Sequence, residues 1–197
     1  MIVVLLGTRA QIIKMAPVLL ELEKRGIEYK FLLTGQHKES VHETLKEFEI
    51  KKEPIPILDK KEAKDVFRMA LWFPLVLIRL IFKSRHFFPR DSLGKNVILV
   101  HGDTLSTLIG ALAGHKAGYK VAHIESGLRS FHLFHPFPEE ITRLATCKLA
   151  HFAYAPGSWA SANLKNFQHL EVVNTEANPL LDSLRTAIKE KHTQEEN

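Results

Sequence analysis

The chain opens on Ile2-Val3-Val4-Leu5-Leu6, five apolar residues in a row, followed by Gly7-Thr8-Arg9. A strand with one wet face alternates apolar and polar residues. An unbroken apolar run marks a strand buried on both faces, as in a parallel sheet covered by helices. Ile12, Met15, Leu19 and Leu22 then recur at helical spacing, and Gly26 follows as a stop. Ile27, Tyr29, Phe31 and Leu33 predict a second strand. Val41, Leu45 and Phe48 predict a second helix, and 51–58, with Pro54 and Pro56, an extended loop. Buried strands are expected at 97–100 and 121–124, with a helix over 104–116 between them. A helix over 138–149, a strand at 152–155, a helix over 158–167, a strand at 170–173 and a helix over 180–188 continue the pattern. Residues 189–197 read as a polar, frayed tail. Alternation of this kind argues for an α/β fold, a Rossmann-like parallel sheet with helices on both faces.

The 197 residues fit one domain with a short extension, at ~150 residues per domain. A chain that is 45% hydrophobic and 25% charged is no disordered tail, collagen-like repeat or bare coiled coil. The net charge of +5 is spread along the sequence, without a zinc-finger, RNA-recognition or helix-turn-helix signature, so no nucleic-acid partner is expected. Anionic small molecules or a lipid surface suit that charge equally well. Cys147 is the single cysteine, which excludes an intrachain disulfide, and it reads as a half-buried small apolar residue. Neither His-Glu-x-x-His nor Cys-x-x-Cys spacing occurs, so neither a metal nor a cofactor is expected. The opening run lacks a basic n-region and a small-residue cleavage site. It reads as a first strand, with a cytoplasmic location as the expectation.

In open parallel sheets the ligand crevice lies beyond the carboxyl ends of the strands. Four predicted strands end there in polar or glycine-containing clusters: Gly7-Thr8-Arg9, Thr34-Gly35-Gln36-His37, His101-Gly102-Asp103-Thr104 and Glu125-Ser126-Gly127-Leu128-Arg129. Side-by-side parallel strands would gather Arg9, Asp103 and Glu125 at one rim. Each cluster also has a plain structural reading. Gly7-Thr8-Arg9 reads as a tight turn or as an anion site at a helix N-terminus, and Asp103 as a helix cap. His101 and His123 read as satisfied near-core histidines. Glu125 directly follows a buried strand, where a carboxylate needs partners. Pro136-Phe137-Pro138-Glu139-Glu140 is a fifth cluster. Spacing leaves two readings of it open: a helix N-terminus with Glu139 paired to Arg143 at i+4, or a carboxylate carried into the crevice.

Taken in order, these clusters resemble the UDP-N-acetylglucosamine 2-epimerases, which have the two-domain fold of GT-B glycosyltransferases. The motifs are Gly7-Thr8-Arg9 with Ile12 to Pro17, Thr34 to His37, Val100 to Thr104, His123 to Arg129, and Pro136 to Glu140 with Arg143. The resemblance implies a single N-terminal-type GT-B domain over 1–175 and a linker helix with a polar tail over 176–197. The C-terminal UDP-binding domain is expected to be absent. It places Asp103, Glu125 and Glu139 at the catalytic carboxylate positions, and Arg9, Gly7, Thr8, Arg129 and Arg143 at substrate-binding ones. Gln36, His37 and Arg68 match contacts to a second, regulatory sugar nucleotide in non-hydrolysing members. The implied reaction interconverts UDP-GlcNAc and UDP-ManNAc by loss of the C2 proton, departure of UDP from C1, and re-addition to a glycal. C2–H is a poor acid, so a carboxylate base acts as positive charge grows at C1, and anionic side chains stabilise that charge. Carboxylates crowded in one crevice are expected to raise at least one pKa.

The chain departs from that family in three places. It is about half as long, the usual Pro-Glu after the arginine is Ala10-Gln11, and the glycine-containing turn before the linker helix is Glu176-Ala177-Asn178-Pro179. The expected partners are therefore a UDP-sugar and either a C-terminal-half protein or a second copy. The apolar stretch 66–88, interrupted by Arg79 and Pro74, reads as an interface core helix. Its other reading is an amphipathic helix making peripheral membrane contact. The competing functions are the acceptor-binding, membrane-associated subunit of a split GT-B glycosyltransferase, and a non-catalytic interaction module.

Overall fold

The computed structural model describes residues 1–34, 38–58, 66–91 and 94–195; the side chains at 38–40, 66–70, 187 and 189–195 are not described. Seven strands form one sheet: β1 (Ile2–Leu6), β2 (Tyr29–Leu33), β3 (Ile55–Pro56), β4 (Val97–His101), β5 (Lys120–Ile124), β6 (Phe152–Ala155) and β7 (Glu171–Asn174). Their order across the sheet is β3-β2-β1-β4-β5-β6-β7, and every pairing is parallel. The helices are α1 (Arg9–Lys24), α2 (Lys38–Glu47), α3 (Val66–Phe82), the single turn α4 (Ser84–Phe87), α5 (Leu105–Lys116), α6 (Glu139–Leu149), α7 (Ser158–Asn163) and α8 (Leu180–Glu195).

The opening run does what its pattern demands. Val3 and Leu5 pack into one core with Trp72, Val76 and Leu80 of α3 and Ile109 of α5. Val4 and Leu6 pack into the opposite core with Ile12, Met15 and Leu19 of α1 and Val41 and Leu45 of α2. All four β1 side chains are fully buried, and at ~1.5–3 kcal/mol each they make β1 the hinge between two cores. A third, smaller cluster places Cys147 of α6 with Ala153, Ala155, Ala160 and Leu164. Cys147 is buried rather than half-buried, and burial raises its thiol pKa.

Three local expectations change. Residues 51–58 are not all loop, since Ile55 and Pro56 pair with Leu32 and Leu33 as a two-residue edge strand. Proline is tolerated there because an edge strand leaves one row of its backbone groups unpaired. α8 continues to Glu195, past the point where its apolar periodicity stops. The helix from 66 runs through Pro74 and stops at Phe82. It buries Trp72, Val76 and Leu80 and leaves Leu71, Leu75, Ile78 and Phe82 exposed along its other side, with Phe82 at 85% exposure.

The chain goes from β1 outward through β2 to β3, then crosses back to lay β4 against the other side of β1. The strand order therefore reverses between β1 and β4, and the crevice of an open α/β sheet forms at such a switch point. β1, β4 and β5 are consecutive neighbours, so the clusters after Leu6, His101 and Ile124 share one edge.

Candidate active site

Gln11 joins the two loops that border the crevice. Thr8 caps α1, accepting from the Gln11 backbone N–H, and the Gln11 side chain turns back in a capping box. Its Oε1 accepts from the N–H groups of Gly7 (2.8 Å) and Thr8 (3.2 Å). Its Nε2 donates to the His101 carbonyl (2.7 Å), Thr104 Oγ1 (3.0 Å) and Thr107 Oγ1 (3.1 Å). A carboxylate could not donate to that carbonyl, so the amide at this departure from the family pattern suits the groups around it. Gly7 is required by close approach: a Cβ there would lie 1.9 Å from Ser106 Oγ and 2.6 Å from Thr34 Oγ1.

Glu125 is the best-held carboxylate of the crevice. Lys14, one turn into α1, reaches Oε1 at 2.8 Å and Oε2 at 2.9 Å. Asn178 Nδ2 donates to Oε1 at 2.8 Å, and His101 Nε2 lies 2.9 Å from Oε2. Burial works to raise the Glu125 pKa, but His101 and Lys14 outweigh it and bring it down to about 2. The expected upward shift from crowding is thus not what Glu125 shows. Cations and donors face it, where a second carboxylate would have been needed to raise it. His101 is more than a satisfied core histidine. It faces this carboxylate, and its Nδ1 is buried without a hydrogen-bond partner among the described residues.

His123 does follow the core reading. Burial brings its pKa down to about 4, so the ring is neutral at pH 7. One nitrogen of a neutral ring donates and the other accepts. Nε2–H donates to the Gly102 carbonyl at 2.7 Å, and Nδ1 accepts from the Cys147 thiol at 3.8 Å.

The second cluster is arranged around Glu140, not Glu139. Glu140 is fully buried, accepts from the Arg129 guanidinium and from the Ser130 N–H at 3.0 Å, and lies 3.4 Å from Arg143 Nη1. Burial opposes its charge, but the Ser130 N–H, Arg129 and Arg143 lower its pKa. Arg143 also pairs with Asp103, so the i+4 pairing of Glu139 with Arg143 gives way to these two partners. Thr104, not Asp103, caps α5, accepting from the Thr107 N–H. Thr142 Oγ1 donates to the Asp103 carbonyl, which docks the first turn of α6 on the β4–α5 loop. Glu139 lies three and four positions before Thr142 and Arg143, so it shares their helix face. Its Oε2 is buried with no partner among the described residues.

Arg9 stands apart from these groups. Its guanidinium lies 3.4 Å from Glu47 of α2, with both side chains about half exposed. Gln36 and His37 lie outside the described residues, and so does the Arg68 side chain. Among the described residues no group of three or more His, Cys, Asp or Glu could hold a metal ion. Sequence reasoning missed Lys14, Asn178 and Glu140 as site residues. The helical phase of Lys14 relative to Gln11 was the one available signal, since it turns both toward the crevice.

The family model described as "UDP-N-acetylglucosamine 2-epimerase" matches residues 20–197. The UDP-N-acetylglucosamine 2-epimerase of Salmonella borreze is 35% identical over 187 residues, covering 93% of this chain and 46% of that protein. The Bacillus subtilis (strain 168) enzyme of the same name is 33% identical over 191 residues, covering 95% and 47%. This chain spans about half the length of the curated relatives it matches. The crystal structure of UDP-GlcNAc 2-epimerase from Neisseria meningitidis bound to UDP-GlcNAc superposes with a TM-score of 0.80 at 31% identity, over 96% of this chain and 50% of that one. That match carries the seven-stranded parallel sheet as well as the sequence, so by both measures the chain belongs to the UDP-N-acetylglucosamine 2-epimerase family.

Proposed function

We propose that this chain supplies the sugar-facing, N-terminal half of the site of a UDP-GlcNAc 2-epimerase, and that a C-terminal half of the site completes it. The observation that carries this reading is Glu125, an anion held from α1, β4 and the segment before α8 at the switch point of the sheet. A fixed negative charge there stabilises the positive charge that grows at C1 as UDP departs. Both Glu125 oxygens are occupied by donors, which leaves it poorly placed to take a proton. Asp103 is engaged by Arg143. Glu139, whose Oε2 has no partner among the described residues, is the carboxylate free to remove the C2 proton. Arg9, at the N-terminus of α1 and paired among the described residues with the exposed Glu47 of α2, is the cation available to the diphosphate.

The test is solvent deuterium incorporation at C2 of UDP-GlcNAc, followed by proton NMR. The chain is assayed alone and mixed with the separately expressed C-terminal half of a full-length relative. Incorporation is expected in the mixture, and Glu139→Gln is expected to slow it ~10²–10⁴-fold. Incorporation by the chain alone would remove the need for a second half. Failure of the mixture either to bind the sugar nucleotide or to exchange the proton would overturn the reading.

A separate feature favours a peripheral contact of α3 with anionic lipid. Leu71, Leu75, Ile78 and Phe82 form one exposed apolar ridge. From 66 to 90 there are five basic residues, Arg68, Arg79, Lys83, Arg85 and Arg90, and no acidic one. Among the described residues no helix is long and apolar enough to cross a membrane, so such a helix would lie in the interface plane. Co-sedimentation with vesicles containing phosphatidylglycerol, and not with neutral vesicles, is the expected result, lost in Leu75→Glu. A dimeric mass in solution without vesicle binding would assign the ridge to a second copy instead.

A further inference from the structure

Asn178 sits where chain direction, charge and geometry meet. The segment that delivers it is pinned: the Thr175 N–H and Oγ1 both donate to the Ala155 carbonyl at the end of β6, at 2.8 and 3.0 Å. The Asn178 amide then works in two directions. Its Oδ1 accepts from the Leu180 N–H at 3.0 Å, capping the first turn of α8, and its Nδ2 donates to Glu125 Oε1 at 2.8 Å. Three residues into α8, Ser183 Oγ donates to the Ile13 carbonyl, next to Lys14 on α1. Lys14 in turn spans both oxygens of Glu125. Glu125, α1 and α8 thus form a closed loop of contacts around one carboxylate, and a side chain of a different type at 178 would open it.

We infer that Asn178 is a positioning residue of the site, holding Glu125 as a fixed anion and tying its placement to the start of α8. This rests on the reading of Glu125 as part of the reacting site. An amide is the fitting side chain because it both donates and accepts. An aspartate would still cap α8 but would set a second negative charge against Glu125. The charged and titratable groups facing Glu125 are Lys14 from α1, His101 from β4 and His123 from β5. Asn178 adds a donor that does not titrate.

The experiment follows the Glu125 side-chain carboxyl carbon by NMR between pH 8 and pH 4 in the sugar-free chain, with the signal assigned from Glu125→Gln. In the wild type the signal is expected to stay at its carboxylate position throughout. Asn178→Asp keeps the shape and the helix cap while removing the donor. It is expected to raise the titration midpoint by about two pH units, into the observed window. Asn178→Ser keeps a capping oxygen but cannot bridge to Glu125, and is expected to raise the midpoint by about one unit, seen as the onset of movement near pH 4. Protection of the Leu180 amide from hydrogen exchange reports whether α8 remains capped. A Glu125 signal unmoved in both variants, with or without that protection, would make Asn178 a helix cap and nothing more. Because no substrate is present, absence of epimerase activity leaves this readout intact.

Discussion

Replacing Glu140 by Leu is expected to destabilise the chain by about 3 kcal/mol, the low end of what severing a buried charge network costs. The low end applies because Arg129 and Arg143 keep 21% and 19% of their side-chain surface in water, so the cations left behind are partly hydrated. Arg143 retains Asp103, whereas Arg129 loses its only carboxylate partner among the described residues and keeps its stacking over Phe131 at 5.0 Å. For a chain of this length the melting temperature should fall by about 6–12 °C, measured by thermal denaturation alongside urea unfolding. Glu139→Gln, one residue away, is expected to stay within ~0.5 kcal/mol of wild type, because its buried Oε2 has no hydrogen-bond partner to lose among the described residues. Equal losses at 139 and 140 would contradict the arrangement around Arg129 and Arg143.

Gly127→Ala should cost about 3–4 kcal/mol. Gly127 sits at φ +86°, and a Cβ there would lie 2.2 Å from the Ala160 carbonyl oxygen and 2.8 Å from its carbon. The left-handed backbone contributes ~1–2 kcal/mol and the overpacking a further ~1–3 kcal/mol. The neighbour is helix backbone, so it cannot rotate away as a side chain would. Relief requires shifting α7, which is tethered by Asn163 Nδ2 donating to the Gly127 carbonyl at 2.9 Å. Gly26→Ala serves as the control. Gly26 has φ +63° with nothing within 4 Å of the added Cβ, so only the backbone share of ~1–2 kcal/mol should be lost. A Gly127→Ala variant no less stable than Gly26→Ala, by chemical denaturation, would mean that α7 yields freely.

These two substitutions bear on how a carboxylate motif is read from a string. Pro-Glu-Glu announces a charged helix start, and the resemblance points to its first glutamate as the reacting one. Nothing in spacing says which glutamate turns inward to the arginines. Arg129 and Arg143 approach from opposite sides of Glu140, eleven residues before it and three after. The choice depends on how α6 docks against the β4–α5 loop through Thr142, a contact across 39 residues. Arg9 makes the converse point. Its strand-end position was legible, yet its guanidinium leans toward Glu47, because α2 lies beside α1 on that face.

Local pattern alone was enough for β1, for the body of α1 with its glycine stop, and for the ends of β1, β4 and β5. Burial on both faces and helix capping are near-neighbour effects, and their requirements are written in adjacent residues. The tertiary structure decided which groups meet. Lys14 and Asn178 reach Glu125 from 111 and 53 residues away. β3 forms only because β2 offers it an edge. Contacts of that range depend on strand order and helix docking, which no run of residues encodes by itself.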